Sequence, residues 1–551
     1  MQQKYTHVYL TVQEVWFNTS ANAAAEDTTW SKFPLDTPVT VDLASLNAGT
    51  LGQIATALKV PAGTYSQIRL IPVDASATLA ASAQSAGAQF NAEADYTDSA
   101  GTAHQSPLEL LNPDRGIAIA TTINIKANLS AVLGTSTTTT TTTDPTTGQT
   151  VTTPTTDAST TSTSTPISLA ISIDGQHDLV LFNYGTETGV LLSPHTAAYD
   201  VANSGTIKGQ IDTSNISSSV DSSTGQIDVQ VTAEAISADG SRHTGVKTVN
   251  VATDGSFVLY PLPAGSTTTD STGVATATTG TTNYDLVIHG PAISTIIVKS
   301  IPVSAGDPNS TTLTSIGTVT PRTANNYTYN LASGTQTVPS GALVSLYQTI
   351  PVSGEVPYLI YQTPMDPFSR TFYEDQSLSV GTIDYGTYSS GTVTLQTVTP
   401  TQGAGVYLLA ATATMFADSV FGATVAPPQS GTVLVTVPGL LPAGGAASGI
   451  IPVTISAATN GKYDKGELLV SHDGAVVQTV AIDSLLTQNS GTTLQVAGLP
   501  AGGGSFDNSI YYLSVRAWRS TDPAGTLSRQ SYSTPVDLST GSAVAQTLTV
   551  Q

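Results

Sequence analysis

The sequence predicts an all-β protein of tandem antiparallel β-sandwich modules, with one short helix in the first. Three observations carry this. Short runs alternate apolar and polar residues, as at Val8, Leu10 and Val12 between Tyr9, Thr11 and Gln13, the period of a half-buried strand. Gly-Thr, Ser-Gly and Asp-Gly turns recur between such runs, which is sandwich spacing rather than that of parallel sheets with crossover helices. An apolar residue followed by Pro-Ala-Gly occurs four times, at 60–63, 262–265, 441–444 and 499–502. Proline fixes φ and lacks an N–H, and glycine accepts positive φ, so the tetrapeptide ends one strand and launches another.

Taken in order, Tyr5 to Val15 is the first strand and Val39 to Leu43 the second. Leu46 to Lys59 is the helical candidate, with Leu51, Ile54, Ala55 and Leu58 at helical spacing before Pro61 stops it. Tyr65 to Val73, Ile117 to Leu133, Ile167 to Ile173 and His177 to Phe182 are further strands. Between them Gly134 to Pro166 is nearly all Thr, Ser, Asp, Gly and Pro. Its apolar content is too low to offset ordering entropy, so the expectation is a flexible loop extruded from a hairpin, with an O-glycosylated segment as the alternative. Strands follow at Gly205 to Ile211, Val229 to Ala233 and Tyr284 to Ile288. Ala342 to Gln348, Tyr358 to Gln362, Gly391 to Val398 and Tyr407 to Thr414 come next. The last stretch offers Gly431 to Val437, Ile451 to Ser456, Glu467 to Ser471, Ala475 to Ile482, Tyr511 to Trp518 and Ala543 to Val550.

A chain of 551 residues exceeds one ordinary core and implies roughly three to five modules. They are expected at 1–204, 205–321, 322–430 and 431–551, the first two bounded by the likenesses given below and the last two without one. The formal charge of −22, with 17 scattered basic residues, argues against nucleic acid and anionic membrane surfaces as partners. There is no cysteine, which excludes a disulfide scaffold, a thiolate metal site and a cysteine nucleophile. Met1 to Lys4 runs straight into a strand, so the expectation is a chain whose export signal has been removed. No run reaches the ~18 apolar residues of a membrane-spanning helix, which leaves a lipid anchor on the precursor as the simplest route to a membrane.

Catalytic, cofactor and metal sites are each expected to be none. His7, His104, His177, His195, His243, His289 and His472 lack the short spacing of a local metal site. Nucleophile-elbow, P-loop, dinucleotide-loop and HExxH patterns are absent, so no enzyme is read here. Two acid-bearing loops are candidates for calcium: Asn460 to Glu467, where Lys462 and Lys465 oppose a cation, and Gly306 to Asn309. Both are read as ordinary turns. Tyr358, Tyr361, Tyr373, Tyr385 and Tyr388 cluster in the third module, and exposed tyrosines could stack on sugars, but tyrosine is also a good strand residue. Leu499 to Gly503 lacks the Thr and apolar tail of a wall-sorting signal.

Two family likenesses follow. Val60-Pro61-Ala62-Gly63-Thr64-Tyr65-Ser66-Gln67-Ile68-Arg69-Leu70, with the Val8 to Val12 strand, Trp30, Val41-Asp42-Leu43 and the Leu51 to Leu58 segment, resembles domain of unknown function 4382 over residues 4–204. That resemblance implies an exported bacterial β-domain, often lipid-anchored, with no established chemistry. The chain departs from it in the Thr-rich insert and in Asp178 to Asn183, which lacks paired acidic residues. Residues 205–321, with Asp254-Gly255-Ser256-Phe257 and Leu262-Pro263-Ala264-Gly265, resemble the carboxypeptidase regulatory-like, or transthyretin-like, β-sandwich. There a Thr-rich loop, Ser266 to Asn283, lengthens the usual connection, and the resemblance implies a spacer or binding unit without catalysis.

The resulting expectation is a non-enzymatic exported protein of a bacterial cell surface or extracellular matrix, structural or adhesive, needing no cofactor. Its partners would be itself or other surface proteins, with glycans as further candidates. Terminal strands that exchange between copies would make it a filament subunit, and self-completion is the default. The alternative is a carbohydrate- or calcium-binding extracellular module set.

Overall fold

The computed structural model describes residues 5–46, 49–55, 58–98, 101–125, 127–128, 135–143, 150–158, 163–164, 168–173, 178–184, 187–216, 220–221, 226–264, 267–269, 275–277, 282–290, 293–311, 313–323, 326–333, 339, 341–365, 373–379, 383–398, 407–413, 415–417, 419, 421, 431–435, 437, 439–442, 447–457, 461–488, 492–502, 509–541, 543 and 545–551. Strands dominate it, arranged in several separate sheets, and the all-β expectation holds.

Val8, Leu10 and Val12 put one face of Tyr5–Asn18 into the core, but the strand is not half-buried as expected: Tyr9 and Trp16 on the other face are covered by Ala83 and Trp30, and the strand pairs with Ser31–Asp42, Gly63–Pro72 and Ala92–Thr97. The sheet runs on through Ile117–Ile125 on one side and through Ala103–Glu109 to Glu187–Leu192 and Leu179–Tyr184 on the other. Its core gathers Val8, Leu10, Ile68, Leu70, Leu108, Ile119 and Val190. The short helix is present but lies at Ala81–Ala86, not at Leu46 to Lys59. A single 3-10 turn, Leu43–Ser45, comes just before the expected place, and the described residues of 46–59 form no helix. Two glycines explain this. Gly49 has φ +78°, and a Cβ on Gly52 would stand 2.6 Å from Val41 Cγ1, so the segment lies flat on the sheet while Ile54 and Leu58 pack against the core.

The Thr-rich insert also differs from expectation. Thr135–Thr143 and Thr150–Ala158 pair antiparallel over nine register positions as a separate ribbon. Threonine is β-branched and favours extended backbone, and the ladder satisfies backbone groups without a core.

Further along, Ser204–Ile211 lies between Ser256–Pro263 and Thr314–Val319, facing a larger sheet that contains Gln226–Ile236, His243–Ala252, Thr282–His289 and Ile296–Val303. Ile207 and Leu259 from one sheet meet Val231, Leu286 and Val298 from the other, which is a sandwich core. The larger sheet does not stop at Val303. Ile383–Ser389 adds to it in parallel through Ile296↔Asp384, and Thr392–Val398 follows. Leu343–Gln348, between Tyr358–Pro364 and Tyr407–Thr412, forms a sheet of its own, as does Asn326–Ser333 between Tyr373–Ser379 and Gly431–Val435. In the last stretch Ala447–Ala457 pairs with Thr493–Ala501 and, in parallel, with Gln546–Val550. Opposite it stand Ala475–Ala481, Lys465–His472, Ile510–Trp518 and Ser528–Asp537, enclosing Val453, Leu468, Val515 and Leu548.

Candidate functional site

In a chain with only 10% charged residues, a charge inside an apolar strand stands out. Two groups of such charges converge where sheets meet. The fullest convergence lies between Thr282–His289 and Tyr358–Pro364. Alternation along Tyr284, Asp285 and Leu286 turns Asp285 away from the core side, toward His243, whose Nε2 lies 3.1 Å from Asp285 Oδ2. The His243 ring stacks on Tyr358 at 3.8 Å between centroids. Tyr358 OH donates to Glu355 Oε2 at 2.6 Å, Tyr385 OH donates to Glu355 Oε1 at 3.1 Å, and Lys299 Nζ donates to the same carboxylate. Burial alone would push the Asp285 carboxyl up. Hydrogen bonds from His243 and the Ser300 N–H, with the charges of His243 and Lys299, hold it below the usual range. Glu355 is lowered in the same way, burial being outweighed by Lys299 and the two phenols. Glu234, fully buried, accepts from the Leu359 N–H at 3.3 Å while its Oε1 has no partner, and burial raises it well above the usual carboxyl value.

A second convergence joins the first sheet to the last. Arg69 Nη2 donates to Asp473 Oδ1 at 2.5 Å, and Tyr512 OH donates to Glu26 Oε2 at 2.7 Å. Arg516, with a side chain 1% exposed, lies 2.7 Å from Glu109 and 3.7 Å above the Phe182 ring. Leu111, Phe182 and Leu191 pack with Leu469, Val476 and Trp518 beside it.

The histidines do not gather. His7 bonds Asp42 at 2.8 Å, His104 bonds Asp98 at 2.9 Å and His195 bonds Asp178 at 2.8 Å, each apart from the others. His472 touches Asp473, whose carboxylate raises it against the downward push of burial. His289 is buried with both ring nitrogens unpartnered, and burial lowers it to about 4. His177 lies outside the described residues. Among the described residues no group of three His, Asp or Glu is placed to hold a metal.

The two acid-bearing loops are turns held by protein donors. Asp464 accepts from the Ser520 N–H at 2.7 Å and hydroxyl at 2.5 Å, and Lys465 pairs with Asp483 at 2.6 Å. Asp307 Oδ1 accepts from the Asn309 N–H at 2.8 Å. Asn460 lies outside the described residues. Of the five tyrosines, Tyr358, Tyr361 and Tyr385 are buried and Tyr388 packs against the second core. The side chain of Tyr373 lies outside the described residues. A cleft of about 370 Å³ opens among Leu51, Ile171, Tyr199, Gln230, Asn250 and Gln362. Its walls come from segments far apart in the chain, so no local motif announces it.

Residues 1–177 match the family model described as Domain of unknown function (DUF4382). The DUF4382 match includes the Val60 to Leu70 stretch and stops short of the expected residue 204. No curated protein matches. Among solved structures, the Bacillus anthracis TIE protein aligns at 8% identity over 99% of this chain and 68% of its own, with a TM-score of 0.13. Shaft pilin SpaA from Lactobacillus rhamnosus GG aligns at 11% over 41% and 97%, with a TM-score of 0.17. A streptococcal ancillary pilin aligns at 10% over 63% and 98%, with a TM-score of 0.13. Overlap at these TM-scores carries neither fold nor function to this chain.

Proposed function

We propose that this is a non-enzymatic exported protein of a bacterial cell surface or extracellular matrix, structural or adhesive in role, built to hold β-units rigidly against one another. One observation carries the reading: two groups of charged side chains pair where sheets meet, with His243, Asp285, Lys299 and Glu355 in one, and Arg69, Asp473, Arg516 and Glu109 in the other. Charges committed to partners across sheets fix relative position and supply no reactive group to a substrate. Residues 205–321 would serve as a transthyretin-like spacer within it.

Assembly by strand addition would use Gln546–Val550, an edge strand among the described residues, and an incoming strand would displace the bond from Tyr532 OH to the Thr549 carbonyl. Tyr5–Asn18, by contrast, is interior to its sheet and completed in cis. Negative-stain microscopy across concentrations tests the reading: fibres or surface-attached protein are expected, and dispersed monomers that attach to nothing overturn it. The second reading, carbohydrate binding, draws on the cleft beside Gln230 and Asn250, and saturable binding on a glycan array would favour it.

A further inference from the structure

The strand Gly63–Pro72 alternates Ile68 and Leu70 into the first core, so Gln67 and Arg69 face the other way. Arg69 therefore contributes nothing to that core, yet its side chain is 1% exposed. Its Nη1 donates to the Arg115 carbonyl at 3.1 Å and its Nη2 to the Ala23 carbonyl at 3.2 Å, with the Trp30 ring 5.3 Å away. Those partners are neutral. A buried guanidinium held by neutral carbonyls is costly unless a counter-charge arrives. The counter-charge comes from Asp473, 404 residues along the chain.

Asp473 and Gly474 are the two central residues of a tight hairpin in which His472 pairs with Ala475. Their φ angles are +53° and +90°, the geometry that favours Asp-Gly. The tip presents two groups together. The carboxylate meets Arg69, and the Asp473 carbonyl accepts the N–H of Ala118 at 3.2 Å. Ala118 is the register partner of Arg69 on the neighbouring edge strand, so guanidinium and N–H form one two-pronged receptor. A Cβ at Gly474 would be 3.4 Å from the Gly116 carbonyl oxygen, so the socket fits a glycine there closely.

We propose that Arg69 and Ala118 form a docking socket on the N-terminal domain for a carboxylate-tipped Asp-Gly β-turn, occupied in this chain by its own Asp473–Gly474 turn. The inference assigns the Arg of the Val60 to Leu70 stretch a recognition role in place of a folding one. It does not depend on surface location or filament formation.

Hydrogen exchange read by mass spectrometry on the full chain tests it. Asp473→Asn keeps a favoured turn and the side-chain shape but removes the charge. Exchange at Ala118 is expected to speed up by about tenfold to a hundredfold, the worth of a hydrogen bond between charged groups, while Ile68 and Leu70 stay protected. Arg69→Met, which removes the charge on the receiving side and leaves the turn untouched, should speed exchange at Ala118 to a similar extent. Unchanged exchange at Ala118 in either variant, or loss of protection at Ile68 and Leu70 as well, overturns the proposal. Protection at Ala118 in the unmodified chain should not depend on protein concentration. If it falls on dilution, a second copy supplies the turn and the cis assignment is wrong.

Discussion

His243 lies flat on Tyr358, their rings 3.8 Å apart and inclined by 13°. The two residues come from different sheets, and both reach the Asp285 carboxylate: His243 Nε2 at 3.1 Å and Tyr358 OH at 3.3 Å. One acid thus anchors two strands that share no backbone ladder. Replacing it by Asp285→Asn should cost about 2 kcal/mol, because His243, the Ser300 N–H and Tyr358 lose the charged acceptor they share. Tyr358→Phe should cost only ~1 kcal/mol, the net worth of a hydrogen bond. Denaturant titration of both variants checks the ranking.

Acid should spare this joint for longer than an exposed carboxylate would suggest. Asp285 and Glu355 are held below their usual values in the fold, so on acidification the unfolded chain takes up these protons first. Their stabilisation is complete above the ordinary carboxyl range, near pH 4, and is lost as pH falls below it. Melting temperatures measured from pH 7 to pH 2 should show the loss, and Asp285→Asn should flatten it.

Glu234 runs in the opposite direction. Its raised value means the folded chain keeps a proton that the unfolded chain gives up, so stability falls as pH rises from the ordinary carboxyl range toward the folded value. Glu234→Gln imitates the protonated form. It should be more stable than the unmodified protein at pH 8, by about 1 to 3 kcal/mol, and close to it at pH 4. Equal stability at both pH values would count against a buried protonated acid.

The strands were legible in the sequence because alternation reports which face of a strand is buried. It does not report which sheet covers that face. Nothing near Ile296 announces Asp384 as its neighbour, and the parallel joining of those strands was out of reach. The helix misplaced at Leu46 to Lys59 shows a related limit: the apolar spacing was real, but Gly49 and Gly52 let the segment lie flat instead. Site residues were harder still, since Asp285 and His243 are 42 positions apart. The only local signal was a lone acid in the apolar run Tyr284, Asp285, Leu286 and Val287.

His289 gives an acid-dependent loss of another kind. Buried without a ring partner, it titrates at about 4 in the fold against 6.5 when free. Its neutral form is fully compatible with the fold above pH 6.5, and stability drains away between there and pH 4, by roughly 3 kcal/mol in all. His289→Leu should remove that slope, which chemical denaturation at pH 7 and pH 4.5 would reveal.

Arg516 should be far harder to replace than its neighbour Arg529. Its side chain is 1% exposed, beside Glu109 at 2.7 Å and over the Phe182 ring at 3.7 Å. Arg516→Ala leaves the Glu109 carboxylate short of its buried partner and should cost about 3 to 5 kcal/mol. Arg529→Ala, removing the more exposed cation 3.0 Å from the same carboxylate, should cost under ~1 kcal/mol. Thermal melts of the two variants separate the cases.

The apolar patch of Leu111, Phe182 and Leu191 is covered by Leu469, Val476 and Trp518, and that has a consequence in time. As the chain emerges from N- to C-terminus, the first sheet is complete long before its cover exists. At the usual pace of synthesis the wait is on the order of tens of seconds. Throughout that interval the young protein carries a sticky, half-finished surface, so its most vulnerable moment comes after its first domain has folded.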